Sequence, residues 1–565
     1  MGASNEMRSG LASAGTTGAR SRRAEPWLFG ALLGLQLLPL WAFAYVPTQD
    51  GPAHLENAAI LLRRSAVGIW GRFYVPNFQL VPNWLGHGVL AALLSLFPPL
   101  VAEKVALSGY ALALPLAFRY ALPPYARARG FALGILPFIF GYAFYMGFAS
   151  FCLSLALFFV AILLWRQFRG RLGARGAVAL GLVSLFVALG HAVTLGALVL
   201  TLASLTLGRA AIDLARARDR DRRASLFRHH ARLSVSLAVS LLPAVLLVFA
   251  FTVSGVEGYS LGWVPFGRRL SGLAVLLSIV AMSPADLWVS AAVSASIVLA
   301  VFGTLWARRR NLAPGLEWLL AAVATLALAL ASPDSFGHGW GMTLRLQVFP
   351  FALALIWLGT GPVVPLLARV VPFACALASL ALIGMRIPIQ ARLSQALEEY
   401  TSVAPYVAKE SVFLPLQLTF GRDLDRTGLF PLNFGPLLHA GGYIAVARDS
   451  VDLANYEASK TLFPMRYRPE LNPYLRLARG AGFEGEGALP CVDLEAGQDL
   501  LGIDYIIVWG PLQDAIGDPC VRDWTRELAT SYRLVYQSRP RGFAQVWSRK
   551  ASPKSSALAP AGAGP

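Results

Sequence analysis

Trp84-Leu85-Gly86-His87-Gly88-Val89-Leu90-Ala91-Ala92-Leu93-Leu94-Ser95-Leu96-Phe97 is the stretch on which the topology of this chain turns. It is apolar, yet it follows Pro82, runs into Pro98-Pro99 and falls short of the roughly 20 residues needed to cross the hydrocarbon core of a bilayer. Counted as a span, it would carry Arg166, Arg169, Arg171 and Arg175 to the outer side, against the excess of Lys and Arg that marks cytoplasmic loops. Laid in the membrane interface, it lets that cluster face the cytoplasm together with Arg119/Arg127/Arg129, Arg209 to Arg232 and Arg308/Arg309/Arg310.

With that placement about eleven spans follow, over residues 27–46, 100–118, 131–147, 149–165, 176–190, 191–207, 233–253, 285–305, 316–332, 343–360 and 366–385. An odd number leaves the N-terminus inside and everything after Met385 outside. Composition agrees: of 565 residues 56% are hydrophobic and only 14% charged, outside the range of soluble domains. The net charge of +18 resides in arginine clusters between apolar runs and not along an aromatic-bearing face, so it reads as a topology signal and not as nucleic-acid binding.

Residues 1–26, rich in Ser, Gly and Ala with Arg8, Arg20, Arg22 and Arg23, read as a disordered cytoplasmic leader. The apolar run behind them is too long for a signal-peptide core and is expected to stay as the first span. A membrane domain over 27–385 then contains one long outer loop, 47–99, built from amphipathic helices, and a second short in-plane helix over Ser271 to Ser283. From Arg386 hydropathy drops. Strand-like runs at Ser411 to Leu418, Tyr443 to Arg448, Tyr505 to Trp509, Tyr532 to Tyr536 and Phe543 to Ser548 alternate with helical pattern at Ala391 to Tyr400 and Asn472 to Arg479. These predict an extracytoplasmic α/β domain over 386–550, followed by a disordered tail, 551–565. The fold class is therefore an α-helical polytopic membrane protein with a C-terminal extracytoplasmic α/β domain. Cys152 and Cys375 fall in apolar runs; Cys491 and Cys520 fall in the polar tail and are able to pair if that tail lies outside.

The densest chemistry opens the long outer loop: Pro47-Thr48-Gln49-Asp50-Gly51-Pro52-Ala53-His54-Leu55-Glu56-Asn57-Ala58. If a helix begins near Pro52, His54 lies about one turn into it and shares a cavity with Asp50. Asp50 before Gly-Pro is equally a helix cap, and periodicity alone leaves both readings standing. No Walker loop, dinucleotide fingerprint, HExxH or paired CxxC occurs, so nothing points to a nucleotide-fuelled reaction.

An acidic residue directly after the first span, a long first outer loop of in-plane helices, a multi-span core with short loops and an outer C-terminal domain together resemble the GT-C superfamily of membrane glycosyltransferases, the PMT-like kind that uses polyprenyl-phosphate sugars. The resemblance covers the whole chain in architecture and Asp50 to Ala58 in motif. It implies an enzyme of the bacterial inner membrane that transfers a hexosyl or pentosyl group from a lipid-linked donor to a glycan, lipid or protein acceptor on the extracytoplasmic face, with Asp50 as base. Such chemistry needs a carboxylate near the acceptor hydroxyl and cations for the leaving phosphate. His54, Glu56, Arg345, Arg268, Arg269 and His191 are the candidates for binding substrate and donor phosphate, Arg345 because ionisable groups at the end of a span are costly without partners. Snorkelling to lipid headgroups is the plainer reading of the three arginines.

Many members of that superfamily carry a second acidic residue in the next outer loop. Here that loop reads Tyr145-Met146-Gly147-Phe148-Ala149-Ser150, without a carboxylate, which leaves a divalent metal ion as an open question. Glu56, Glu257, Asp286 and Asp334 are the carboxylates able to substitute, and His338 lies in a Gly-rich turn. In the tail, the stretch from His439 to Pro469 mixes aromatic with Asn, Glu and Arg side chains in a way that suits carbohydrate recognition. Two other readings fit the hydropathy: a lipid or glycan transporter or flippase, for which no internal repeat is evident, and a non-catalytic assembly factor of the same architecture. The expected topology is directly measurable. A cysteine introduced beyond Lys550 should react with a membrane-impermeant maleimide in spheroplasts and one ahead of Trp27 only after lysis; the reverse pattern would overturn the assignment.

Overall fold

The structure, a computed structural model, describes residues 25–63, 68–79, 81–170, 172–254, 261–336, 339–419, 432–479 and 490–550. Residues 1–24 of the expected leader, the expected tail 551–565, Glu257 and His338 lie outside them. Among the described residues seven helices are long and apolar enough to cross a membrane: Pro99–Ala121, Ala149–Phe168, Ala192–Arg216, Arg220–Val253, Ala285–Arg308, Met342–Gly359 and Leu367–Tyr406. Shorter apolar helices include Trp84–Leu94, Ala174–Gly190 and Leu316–Ala331. The chain divides into two compact units. One comprises Met1–Phe43, Leu80–Gly86 and Lys104–Pro388; the other Ala44–Gln79, His87–Glu103 and Ile389–Pro565.

In the first unit, Val348–Gly359 is buried along its whole length, and Leu316–Ala331 packs against both it and Ala192–Arg216. The outward faces are apolar as well. On Arg220–Ser254, Val235, Val239, Leu242, Phe249 and Val253 are all exposed, the surface a helix presents to lipid. Small residues permit close helix approach: a Cβ on Gly181 would meet the Ser240 carbonyl oxygen at 3.0 Å.

Three apolar stretches differ from the spans and helices expected of them. Residues 25–35 are helical, but the chain turns at 36–37 and resumes only as Leu38–Trp41, where Pro39 sits in the first turn. The stretch 131–147 is no continuous helix. It is a 3-10 helix, Phe131–Phe138, with Pro137 inside, and a separate turn, Tyr142–Tyr145. Ser271 to Ser283 is likewise divided: the helix Phe266–Ala274 begins earlier, Leu276 takes a left-handed conformation (φ 54°), and a 3-10 turn follows at Leu277–Ile279. Hydropathy registers only that these residues are apolar; protein, not lipid, buries Phe131 to Phe138 and Ile279 to Met282.

Irregular backbone in an apolar interior must find its hydrogen-bond partners within the protein. Arg386 and Asp286 supply them. The Arg386 guanidinium bonds the Asp286 carboxylate (2.7 and 3.1 Å), the Phe140 carbonyl (2.5 Å) and the Ile279 carbonyl (2.7 Å). The same Asp286 oxygen accepts from the amides of Ala281 (3.1 Å) and Met282 (3.0 Å). Both side chains are buried, so Asp286 is not the solvated loop residue its position suggested. Gly141 is needed beside them, since a Cβ there would run into the Ser278 carbonyl.

The second unit holds a five-stranded sheet in the order Val451–Asp452, Val412–Gln417, Tyr505–Trp509, Ala544–Arg549, Tyr532–Gln537. The first two pairings are parallel and the last two antiparallel. Val412–Gln417 is buried throughout, as a central parallel strand should be. Pro415 is tolerated in it because its two-residue neighbour ends at the partner of Phe413, leaving that edge without a ladder bond to lose. Four expected strands thus form; Tyr443 to Arg448 does not and is instead the helix Gly441–Arg448. A run of five apolar residues closed by Arg448 does not separate strand from buried helix, and the packing of this segment on Gly51–Arg63 decides it. The helical pattern of Asn472 to Arg479 shrinks to Pro473–Arg476. Cys491 and Cys520 are joined by a disulfide, their Cα atoms 5.0 Å apart.

Breaking the buried pair from one side strands a charge in the interior, at a cost of about 3–5 kcal/mol. Asp286→Ala or Arg386→Ala is therefore expected to lower the melting temperature of the detergent-solubilised protein sharply. Asp286→Leu/Arg386→Met, which removes both charges, should recover part of that loss.

Candidate active site

The second unit gathers the polar residues of Ala44–Gln79 and His87–Glu103 with those of the C-terminal third. The helix Gly51–Arg63 begins where the sequence predicts, with Pro52 in its first turn, where a missing N–H is harmless. Glycine is required where Gly441–Arg448 crosses it, because a Cβ on Gly442 would strike the Pro52 carbonyl oxygen. Asp50 at its start, His54 one turn on and Asn57 three residues further share a face. The helix takes its first bond from Asp50 through the main chain, His54 N to Asp50 O at 3.0 Å.

The Asp50 carboxylate is buried. It accepts from the Gln49 amide (3.3 Å) and lies 3.5 Å from His439 Nε2. Gln49 is itself fixed by the Gly435 amide (2.8 Å). Burial pushes the Asp50 carboxyl up to about 6; His54 opposes that shift and Glu457 adds to it. Burial also presses the neighbouring His439 imidazole down to about 3, with Lys460 assisting, so it stays neutral near pH 7. Its ring stacks on Tyr456 at 4.3 Å between centroids, and Tyr456 meets Phe463 edge-on at 5.9 Å.

One turn deeper, Glu457 is fully enclosed. It bonds His87 Nε2 (2.8 Å) and His54 Nδ1, and accepts from Asn57 Nδ2 (2.8 Å). Burial alone would raise its pKa, but the two imidazoles outweigh that and hold the carboxyl below the usual range. Asn57 also donates to Asn455 Oδ1 (3.0 Å), and Asn455 returns a bond to Asn57 Oδ1 (3.2 Å). His54, His87 and Glu457 are the one group among the described residues that brings three His, Cys, Asp or Glu ligand atoms within 4.8 Å of one another.

Glu56, on the opposite side of the helix, is buried near Asp452 and Tyr74. Burial and the Asp452 charge raise its carboxyl well above the ordinary range.

The remaining candidates belong to the first unit. Arg345 is buried, with one guanidinium nitrogen 2.6 Å from His191 Nε2 and its guanidinium carbon 3.7 Å from the centroid of Phe148. It faces the interior, which is not the posture of a snorkelling side chain. His191 caps the helix Ala192–Arg216, its Nδ1 accepting from Val193 N at 3.2 Å. Arg269 spends its guanidinium on the carbonyls of Val264 (2.8 Å), Leu330 (2.9 Å) and Ser332, closing the end of the helix Leu316–Ala331. Arg268 is exposed.

Sequence reading passed over His87 and weighed His439 and Glu457 only as part of a mixed stretch. A histidine alone on an apolar helix is ordinarily a core residue, and only the fold places it beside His54. No family model matches the sequence, and no curated protein does. Among solved structures the chain resembles ArnT from Cupriavidus metallidurans, determined in the apo state: TM-score 0.50, 13% identity, covering 93% of this chain and 98% of that one. The chain thus shares its fold with that structure, a helical membrane architecture with a C-terminal α/β region as the sequence led us to expect.

Asn57→Ala would leave Glu457 and Asn455 each short of a buried partner, a loss of about 1.5–3 kcal/mol for a bond to a charged group. The variant should melt measurably lower than wild type, whereas Asn57→Asp would add a carboxylate beside Glu457 and melt lower still.

Proposed function

We propose that this protein is a membrane glycosyltransferase that moves a sugar from a polyprenyl-phosphate-linked donor to a hydroxyl acceptor on the extracytoplasmic face. The observation that carries the reading is Asp50: a buried carboxylate at the start of the first-loop helix, with its proton affinity raised into the range of a general base and a neutral imidazole beside it. The likeness of fold to ArnT, a GT-C glycosyltransferase, supports the class of reaction. The Cys491–Cys520 disulfide supports an oxidising compartment for the C-terminal third.

In this reading Asp50 takes the proton of the acceptor hydroxyl as its oxygen attacks the anomeric carbon. The bond between that carbon and the phosphate oxygen breaks, and the polyprenyl phosphate leaves with the electron pair. A carboxyl with its pKa near 6 is largely ionised at neutral pH yet basic enough to accept the proton. Tyr456, Phe463 and His439 offer the aromatic faces on which sugar rings stack. Arg345 has a separate role, binding the donor phosphate through a guanidinium that already faces inward.

Replacing Asp50 with Asn keeps the shape and removes the base. Transfer from a radiolabelled polyprenyl-phosphate sugar by the purified protein should fall at least about 100-fold, with an unchanged melting profile. Wild-type turnover in that variant would sink the assignment. Arg345→Gln is expected to weaken binding of polyprenyl phosphate alone, measured without an acceptor.

A further inference from the structure

We infer that His54, His87 and Glu457 form a binding site for one divalent transition-metal ion of the zinc class. Two imidazoles and one carboxylate are a known zinc ligand set that leaves a fourth position open. One edge of the donor set already has the length such an ion requires. An ion that holds nitrogen ligands at about 2.0–2.1 Å in tetrahedral directions keeps them about 3.4 Å apart, and His54 Nδ1 and His87 Nε2 are 3.3 Å apart. Glu457 completes the set, its two oxygens facing the two rings separately, Oε1 toward His54 and Oε2 toward His87 at 2.8 Å, so the carboxylate has to draw back by about 0.5 Å to admit the ion.

The ring nitrogens suit the ion as well. Without it each donates a hydrogen to a separate oxygen of the Glu457 carboxylate, and each, once deprotonated there, presents a lone pair to the same space. A cation between the three groups accepts both lone pairs and neutralises the carboxylate. The supporting contacts are those that orient ligands elsewhere: Asn57 Nδ2 donates to Glu457 Oε2, and the Tyr456 hydroxyl lies 3.5 Å from Oε1. Side-chain exposure is 8% for His54, 1% for His87 and 0% for Glu457, so the site is shielded from bulk water.

The three ligands come from separate parts of the chain: the helix Gly51–Arg63, the helix Trp84–Leu94 and the turn Glu457–Ser459. An ion held by all three ties the first outer loop to the C-terminal third within one unit and favours the folded state by mass action. The inference stands on donor geometry and is independent of the role given to Asp50.

Full-length protein purified in detergent without chelator should carry about one equivalent of zinc per chain by elemental analysis. Chelation should strip it and lower the melting temperature, and Zn²⁺ added back should restore both. Co²⁺ substituted into the stripped protein should give the intense visible absorption of a four-coordinate ion with nitrogen and oxygen ligands. His87→Gln and His54→Gln should reduce the bound metal at least tenfold. Should either variant fail to fold, the Co²⁺ titration of wild type decides alone. Metal well below one equivalent together with no Co²⁺ spectrum and no thermal response to Zn²⁺ would overturn the site. Transfer activity is read separately through Asp50→Asn, so loss of the metal assignment leaves the glycosyltransferase reading to its own test.

Discussion

The Arg386–Asp286 pair is what allows the membrane unit to depart from a plain bundle. A helix satisfies its own amides and carbonyls; the broken backbone at Phe140 and at Ile279 to Met282 does so only in part, and an apolar interior offers no solvent to supply the rest. One guanidinium and one carboxylate supply donors to two carbonyls and an acceptor to two amides, and each neutralises the other. The desolvation of both ions is severe, and it is offset in part by the hydrogen bonds that the guanidinium and Asp286 Oδ2 make to the backbone of these segments. Arg386 reaches this position from the helix Leu367–Thr401, so the helix entering the C-terminal third also anchors the membrane unit's irregular segment.

The same economy of buried polar groups recurs in the second unit. Asp50, Glu56, Asp452 and Glu457 are all enclosed, and three of them, Asp50, Glu56 and Glu457, resolve their charge differently. Glu457 is held ionised by two imidazoles, Glu56 is driven toward protonation by burial and the nearby Asp452, and Asp50 lies between these extremes. That spread in proton affinity among neighbouring carboxyls is what lets one of them act as a base while the others fix structure or bind a cation. Tyr456 and Phe463 pack with Ala53 into a buried apolar cluster, and the Tyr456 hydroxyl reaches toward Glu457.

The limits of sequence reading are clearest at particular residues. Hydropathy and arginine placement suffice for a multi-span chain, because the bilayer imposes length and charge rules residue by residue. They do not tell a lipid-facing helix from a protein-buried broken one, and so 131–147 reads as a span although Pro137 and Gly141 interrupt it. Asp50 and His54 are legible because they stand together in one short motif. His87, His439 and Glu457 are far from them in sequence, and nothing local marks His87 or Glu457 as more than a core histidine and a loop acid.

By itself the sequence determined the membrane class, four of the five sheet strands and the helix that carries Asp50. Each is set by local patterns of polarity, proline and charge. Tertiary structure alone decided that Tyr443 to Arg448 is helical, that Asp286 is paired with Arg386, and that two histidines and a glutamate meet at one point. The reason is physical: burial, ion pairing and ligand geometry depend on which distant segments share space, and a one-dimensional pattern does not encode that distance.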